Sequence, residues 1–550
     1  MLPVQKETVS MTTRDRIRLD ADVYRPATEG EFPVLLMRQP YGRAIASTVV
    51  YAHPIWYAAQ GYIVVIQDVR GRGTSEGKFR LFATEVADGE DTINWAAQLP
   101  GSTGQVGMYG FSYQGMTQLY AAAAKPPALK AIAPAMVGYD LYADWAYENG
   151  ALCLQAGLGW ALQLAAETAR LRGEAAAYQK LYAAARNLPL NETLPTRPQI
   201  LSELAPDSFF HDWLDHPQPD AYWAGLKPQL AAVKLPMLHV GGWFDPYLRG
   251  DVRLFQAMQG RAPQHFWVGP WGHIPWGRIA GDRDFGPAAA SPIDRLQIRW
   301  FNHFLKGEET GLLAEAPVCL FEMGTNRWRQ FAAWPGGKEA TFYLSSSGLA
   351  GMREDDGQLV ESNSLTESVT DAIVHDPWRP VPSLGGHAGI PAGSFERSLI
   401  DNRSDVLTYT TPTLNSDLHV VGEVVAEIHC AADAPSFDLC VILSEVDTLG
   451  QVYNLTQGYG RFESAETNLT LPQTCRLVLQ PTCFCIPAGN ALRLSLSAAC
   501  FPAYAVNPGT GATAGASRLI ESQMITLAIA SGGKHDSKIQ LASLSQAILT

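Results

Sequence analysis

Long apolar runs are missing from this 550-residue chain, so no stretch reads as a bilayer-spanning helix. The N-terminal stretch MLPVQKETVSMTTRDRIRLDADVYRP lacks a basic segment followed by an apolar one, and no signal peptide is expected. Positive charge is in deficit, with 41 Lys and Arg against 54 Asp and Glu for a net charge of −13. The basic residues are scattered and form no stripe, which argues against a nucleic-acid partner. Cysteine is sparse: Cys153, Cys319, Cys430, Cys440, Cys475, Cys483, Cys485 and Cys500, with no C-x-x-C pair and no zinc-type histidine spacing. These read as reduced core thiols and fit a cytoplasmic location. No H-E-x-x-H motif or carboxylate-rich loop occurs, so neither a metal nor a cofactor is expected.

What is present is an ordinary globular composition, 47% hydrophobic and 17% charged, in a chain longer than one core usually supports. Two or three domains are expected. Residues 32–42 (FPVLLMRQPYG) and 61–71 (GYIVVIQDVRG) are apolar runs of strand length bounded by Gly or Pro, as in buried parallel strands. Between them VVYAHPIWYAAQG reads as a helix closed by Gly61, and EVADGEDTINWAAQLP as another. The strand GQVGMYGF and an Ala-rich helix follow. This alternation predicts a doubly wound, mostly parallel α/β sheet.

From 137 to 232 the chain becomes Ala/Leu-rich and helical, which reads as an insertion, because strand patterns resume at 234–245 (KLPMLHVGGWFD) and 263–273 (PQHFWVGPWGH). RLQIRWFNHFLKG reads as a helix that closes that part. Beyond about 339 short alternating stretches recur between turns, predicting an all-β sandwich or jelly roll. The expected organisation is a core in two pieces, 1–136 and 233–338, a helical cap over 137–232, and a β domain over 339–550.

One short stretch carries the chemistry. In MYGFSYQGM, Ser112 lies between Gly110 and Gly115, close to the G-x-S-x-G elbow but with the second glycine one residue late. A serine between strand and helix is ordinarily an N-cap. The glycines favour a tight strand-to-helix turn, which would place the Tyr113 N–H at a helix N-terminus, where an oxyanion is stabilised. A nucleophilic serine needs a base and an orienting acid, following in the order Ser, Asp/Glu, His at strand ends. Asp245 ends the strand at 234–245 and His273 the strand at 263–273, with one helix between them. Singly, Asp245 reads as an N-cap to PYLRGDVRLF, with Pro246 at the favoured first position, and His273 as a loop residue; in this order, downstream of Ser112, they form a coherent triad. A second oxyanion donor is expected after FPVLLMRQP, from the Tyr41 phenol or the Gly42 N–H. GRGTSEGKF imitates a phosphate loop, but its glycine spacing is one too long and Phe79 follows the lysine, so it reads as a structural turn.

Taken with RQPYGR, QDVRGRGTSEGKF, GMYGFSYQGMTQ, GGWFD, VGPWGH and RWFNHFLKG, the chain resembles the CocE/NonD-like serine hydrolases, the cocaine esterase and X-Pro dipeptidyl-peptidase group. FEMGTNRWRQFAAWP and VPSLGG extend the likeness into the last third. The resemblance implies an α/β-hydrolase domain, a helical cap and a C-terminal jelly roll. It implies Ser112 as nucleophile, His273 as base, Asp245 as acid, and Tyr41 with the Tyr113 N–H as the oxyanion hole. The family's elbow is G-x-S-Y-x-G, so the late glycine is its normal form.

Relatives acting on amino-acid esters or β-lactam amides bind an ammonium through carboxylates just beyond the acid, where this chain has Pro246, Tyr247 and Leu248. In YADWAYENG, Asp144 or Glu148 could serve an X-Pro substrate's amine but read rather as cap-surface charges. Trp145, Tyr147 and Trp160 fit either an acyl pocket or core packing. The expectation is a cofactor-independent ester hydrolase, with amides open. The alternatives are an X-Pro dipeptidyl-peptidase or β-lactam/amino-acid ester acylase and, more distantly, a non-catalytic carbohydrate-binding protein. The expected partner is a small-molecule ester or amide, with no nucleic acid or membrane and with a homodimer left open.

Overall fold

The computed structural model describes residues 2–362 and 366–543. Ten strands form one sheet: β1 (Val4–Thr12), β2 (Arg18–Pro26), β3 (Phe32–Gln39), β4 (Ile63–Asp68), β5 (Ser102–Phe111), β6 (Leu129–Ala135), β7 (Met237–Phe244), β8 (Gln264–Gly272), β9 (Val318–Glu322) and β10 (Arg327–Phe331). Their spatial order is β1-β2-β4-β3-β5-β6-β7-β8-β9-β10. Every pairing from β4 to β9 is parallel, and both edges are antiparallel.

The apolar run of β3 shows why the sheet needs cover on both faces. Val34 and Leu36 pack on one side with Ile93, Leu119 and Val106. Leu35 and Met37 pack on the other with Trp300, Phe301 and Leu305. All four strand side chains are fully buried, each contributing about 1.5–3 kcal/mol. The covering helices are α1 (Glu85–Ala96) and α2 (Tyr113–Ala123) on the first face and α5 (Ile293–Lys306) on the second. Between β6 and β7 comes the helical insertion, led by α3 (Leu154–Leu171), and α4 (Leu248–Met258) joins β7 to β8. Twelve further strands, from Lys338 to Ser543, pair mainly antiparallel into a β-sheet-rich domain. All eight cysteines are free and seven are buried.

Two local expectations change. The helix read over 49–61 shrinks to Pro54–Ala58, because proline is tolerated only in the first turn of a helix and holds the residue before it, His53, extended at φ −59° and ψ 145°. Residues 4–26, given no element from sequence, form the β1–β2 hairpin. Most of β1 is exposed, so it carries no apolar alternation, and buried Asp20 and Asp22 in β2 are bonded by Ser10 and Thr8 from β1.

Candidate active site

Ser112 lies between β5 and α2 with φ 59° and ψ −127°, and its side chain makes no capping hydrogen bond. A left-handed φ at a non-glycine residue costs of order 1–3 kcal/mol. The capping explanation therefore fails on geometry: the serine occupies the N-cap position without doing the work of a cap. Both flanking glycines are sterically required. Gly110 has φ 136°, and a Cβ there would lie 2.5 Å from the Gln114 Cβ. A Cβ on Gly115 would lie 2.3 Å from Val137 Cγ1 and 3.0 Å from the Ala135 carbonyl oxygen. The late glycine thus serves the seating of the first turn of α2 against the end of β6.

His273 follows β8 and Asp245 follows β7, adjacent parallel strands. His273 Nδ1 and Asp245 Oδ1 lie 2.7 Å apart, with Asp245 fully buried and the His273 side chain 28% exposed. The Phe111 ring, next in sequence to Ser112, sits 5.2 Å from the His273 ring between centroids. Ser112 Oγ makes no hydrogen bond to His273 among the described residues. The second Asp245 oxygen accepts from the Tyr247 N–H at 3.1 Å. Asp245 is not the N-cap of the following helix, which begins at Leu248.

The expected oxyanion donors are placed as follows. Tyr113 opens α2, and its phenol donates to Glu85 at 2.8 Å, which ties the first residue of that helix to α1. Tyr41 Oη accepts from Trp160 Nε1 at 3.2 Å. That contact occupies a lone pair and leaves the Tyr41 O–H free to donate. Burial pushes the Tyr41 phenol up to about 12, so it stays protonated near neutrality.

The pocket candidates separate. Trp145 lies against Trp160 (5.3 Å between ring centroids) and Tyr247 (4.3 Å), and Tyr247 meets the His273 ring edge-on at 5.1 Å. Phe209 extends the aromatic wall from Trp160. Tyr147 instead stacks on Tyr142 and donates to the Trp213 carbonyl within the cap.

Asp144 and Glu148 are corrected outright from cap-surface charges to buried ones, each 2% exposed. Asp144 pairs with Arg253 and accepts from the Asp140 N–H. Glu148 meets Arg249 at 2.8 Å and His387 at 3.0 Å, and accepts from the Tyr504 phenol and the Tyr459 N–H. This cluster joins the cap, α4 and the β domain. Burial alone would raise the Glu148 pKa, but the charges of Arg249 and His387 overcome it and hold the carboxyl well below its ordinary value. Its stabilisation is then complete above a pH of about 4.5 and is lost progressively on further acidification. Glu148→Gln should cost about 3–5 kcal/mol at neutral pH by leaving Arg249 buried without its counter-charge. Urea midpoints measured from pH 7 down to pH 3 should fall less steeply in that variant than in the wild type.

Sequence reasoning missed Gln480. Its Nε2 donates to the Asp245 carbonyl at 2.5 Å, so the β domain holds the Asp245 loop from 235 residues away. No local pattern marks it. A cavity of about 850 Å³ opens between the 71–83 loop and the cap helices, and Arg72, Phe79, Ala161 and Phe209 line it. Neither Ser112 nor His273 is among its walls.

A strained serine elbow at the carboxyl end of a parallel sheet, with a His–Asp pair on neighbouring strands, defines the class as an α/β hydrolase. Residues 15–275 match the family model for X-Pro dipeptidyl-peptidases (S15 family), and residues 311–540 match the X-Pro dipeptidyl-peptidase C-terminal non-catalytic domain. Cocaine esterase of Rhodococcus sp. (strain MB1 Bresler) is 34% identical, with 97% of each chain covered. Among solved structures, an aminopeptidase from a Thaumarchaeota archaeon superposes with a TM-score of 0.84 at 22% identity, covering 99% of this chain and 97% of the other. An α-amino acid ester hydrolase does so with a TM-score of 0.80 at 20% identity, covering 98% and 97%. The chain belongs to the S15 and CocE/NonD family of serine hydrolases. Among the described residues, no helix is long and apolar enough to cross a membrane.

Proposed function

We propose that this hydrolase cleaves neutral carboxylic esters through an acyl-enzyme. Ser112 Oγ attacks the carbonyl and His273 Nε2 takes its proton. Asp245 holds the Nδ1–H tautomer and stabilises the imidazolium. The Tyr41 O–H and Tyr113 N–H receive the oxyanion, and water activated by His273 then releases the acid. The observation that carries the reading is Ser112 itself: a serine held in a costly backbone conformation, free of any capping bond, beside a His–Asp pair.

Two features favour a neutral ester with an aromatic or bulky apolar acyl group over a substrate with a free amine. The aromatic wall of Trp145, Trp160 and Tyr247 reaches the His273 ring. Both carboxylates in YADWAYENG are buried and already paired, Asp144 with Arg253 and Glu148 with Arg249. The similarity to a cocaine esterase points the same way. A cytoplasmic location is proposed from the eight unpaired thiols, and a jelly-roll topology for the β domain from its antiparallel pairing. A panel of neutral benzoyl and acetyl esters against X-Pro anilides tests the substrate class. The proposal expects higher kcat/KM on the esters, and a preference for the free-amine anilides would overturn it. In the same assay Tyr41→Phe should lower kcat about 10²–10³-fold with little change in KM, the loss typical of one oxyanion donor.

A further inference from the structure

A histidine, a cysteine and an aspartate that lie far apart in sequence come together where the two large sheets meet. In the β domain, β11 (Leu418–Ala432) and β12 (Thr482–Ile486) pair antiparallel with His419 directly opposite Cys485. Directly opposed side chains share one face of a sheet, with Cβ atoms about 4.5–5.5 Å apart. Cys485 Sγ and His419 Nε2 lie 3.8 Å apart. Asp417, just before β11, completes the group, and one ligand atom from each of the three lies within 4.8 Å of the others. Asp417 Oδ1 accepts from the Ala488 N–H at 2.9 Å, which fixes the carboxylate on this side of the strand pair.

The second observation comes from the hydrolase sheet. Glu322, the last residue of β9 and fully buried, meets His419 Nδ1 at 2.7 Å. A carboxylate there takes the Nδ1–H tautomer and presents the Nε2 lone pair toward Cys485, the arrangement that orients metal-ligating histidines. Arg329 and Thr325 bind Glu322 in turn, so its position is itself braced. Around a tetrahedral zinc, ligand bonds of about 2.3 Å to sulfur and 2.0 Å to nitrogen place S and N about 3.5 Å apart. The observed pair needs to close by only a few tenths of an ångström. Cys485 is buried while Asp417 is exposed, so the group has both a dry floor and an entry path.

We propose that Asp417, His419 and Cys485 form a site for a thiophilic divalent cation of the zinc class, with Glu322 orienting the histidine and solvent in the fourth position. Binding converts the Cys485 thiol to a thiolate and releases its proton to solvent. The Met323 N–H donates to the Cys483 carbonyl and the Cys485 N–H to the Met323 carbonyl, which stitches the end of β9 to β12 beside the site. A cation here fixes His419 and Cys485 of the β domain against the Glu322 end of the hydrolase sheet. Residues 419 and 485 are separated by 66 positions, which is why linear spacing conceals the site.

The full chain, stripped with chelator, is titrated with Co²⁺ and then with Zn²⁺. The expected result is stoichiometric uptake with a thiolate-to-cobalt charge-transfer band, displaced by Zn²⁺, and a higher melting temperature with Zn²⁺ bound. Cys485→Ser should abolish the band, and Glu322→Gln, with all three ligands intact, should weaken binding about 10–100-fold. Absence of stoichiometric uptake, a cobalt spectrum without a thiolate band, or an unchanged band in Cys485→Ser would each overturn the proposal. If Cys485→Ser does not fold, His419→Ala takes its place and must weaken binding at least as much as Glu322→Gln.

Discussion

Ser112→Ala is expected to lower kcat on a p-nitrophenyl ester by about 10⁶-fold, the scale seen when a triad nucleophile is removed. Stability decides between the two explanations of this serine. An N-cap serine replaced by alanine loses about 0.5–2 kcal/mol. Here the hydroxyl caps nothing, so Ser112→Ala should leave the urea midpoint nearly unchanged. Ser112→Gly should go further and raise stability, because glycine adopts a φ of 59° without the cost of about 1–3 kcal/mol that serine bears. Loss of activity together with a gain in stability is the signature of a residue strained for function. A loss of both would return Ser112 to the capping role.

Asp245→Asn should be the next largest effect, lowering kcat about 10⁴-fold at neutral pH with the fold intact. The isosteric amide keeps the contact with the Tyr247 N–H available but presents a donor or a weak acceptor to His273 Nδ1, so the imidazole no longer holds the tautomer that accepts the serine proton. Asp245 is fully buried and His273 is not, so the carboxylate's charge acts on the imidazolium through a largely dry contact. Steady-state kinetics on a neutral ester checks this, and a loss under tenfold would remove Asp245 from the catalytic group.

The parts of this protein legible from sequence are those whose determinants are local. β3, β4 and β5 are apolar runs cut by turns, and parallel pairing follows from the helices between them. Ser112, Asp245 and His273 were placed by strand ends and chain order, and the structure puts the last two on adjacent strands. The late glycine needed the fold to explain it, since its constraint is the nearby end of β6 and Val137. What stayed hidden depends on partners remote in sequence. Glu148 and Asp144 looked like surface charges because Arg249, Arg253, His387 and Tyr504 lie 101 to 356 residues away. Gln480 reaches the Asp245 loop across 235 residues. The helix read over 49–61 was too long for a local reason that the sequence does carry, Pro54, which starts the helix and keeps His53 out of it.

The β domain also contributes contacts to the rest of the chain. It supplies Gln480 to the Asp245 loop and His387 and Tyr504 to the Glu148 cluster.

The central claim is that Ser112 is the nucleophile, and covalent labelling tests it most directly. The protein is treated with a fluorophosphonate and the modified peptide is identified by mass spectrometry. The account predicts one equivalent of label on Ser112, with parallel loss of esterase activity and no labelling of Ser112→Ala. A label on a different serine, or full ester turnover by Ser112→Ala, would contradict it.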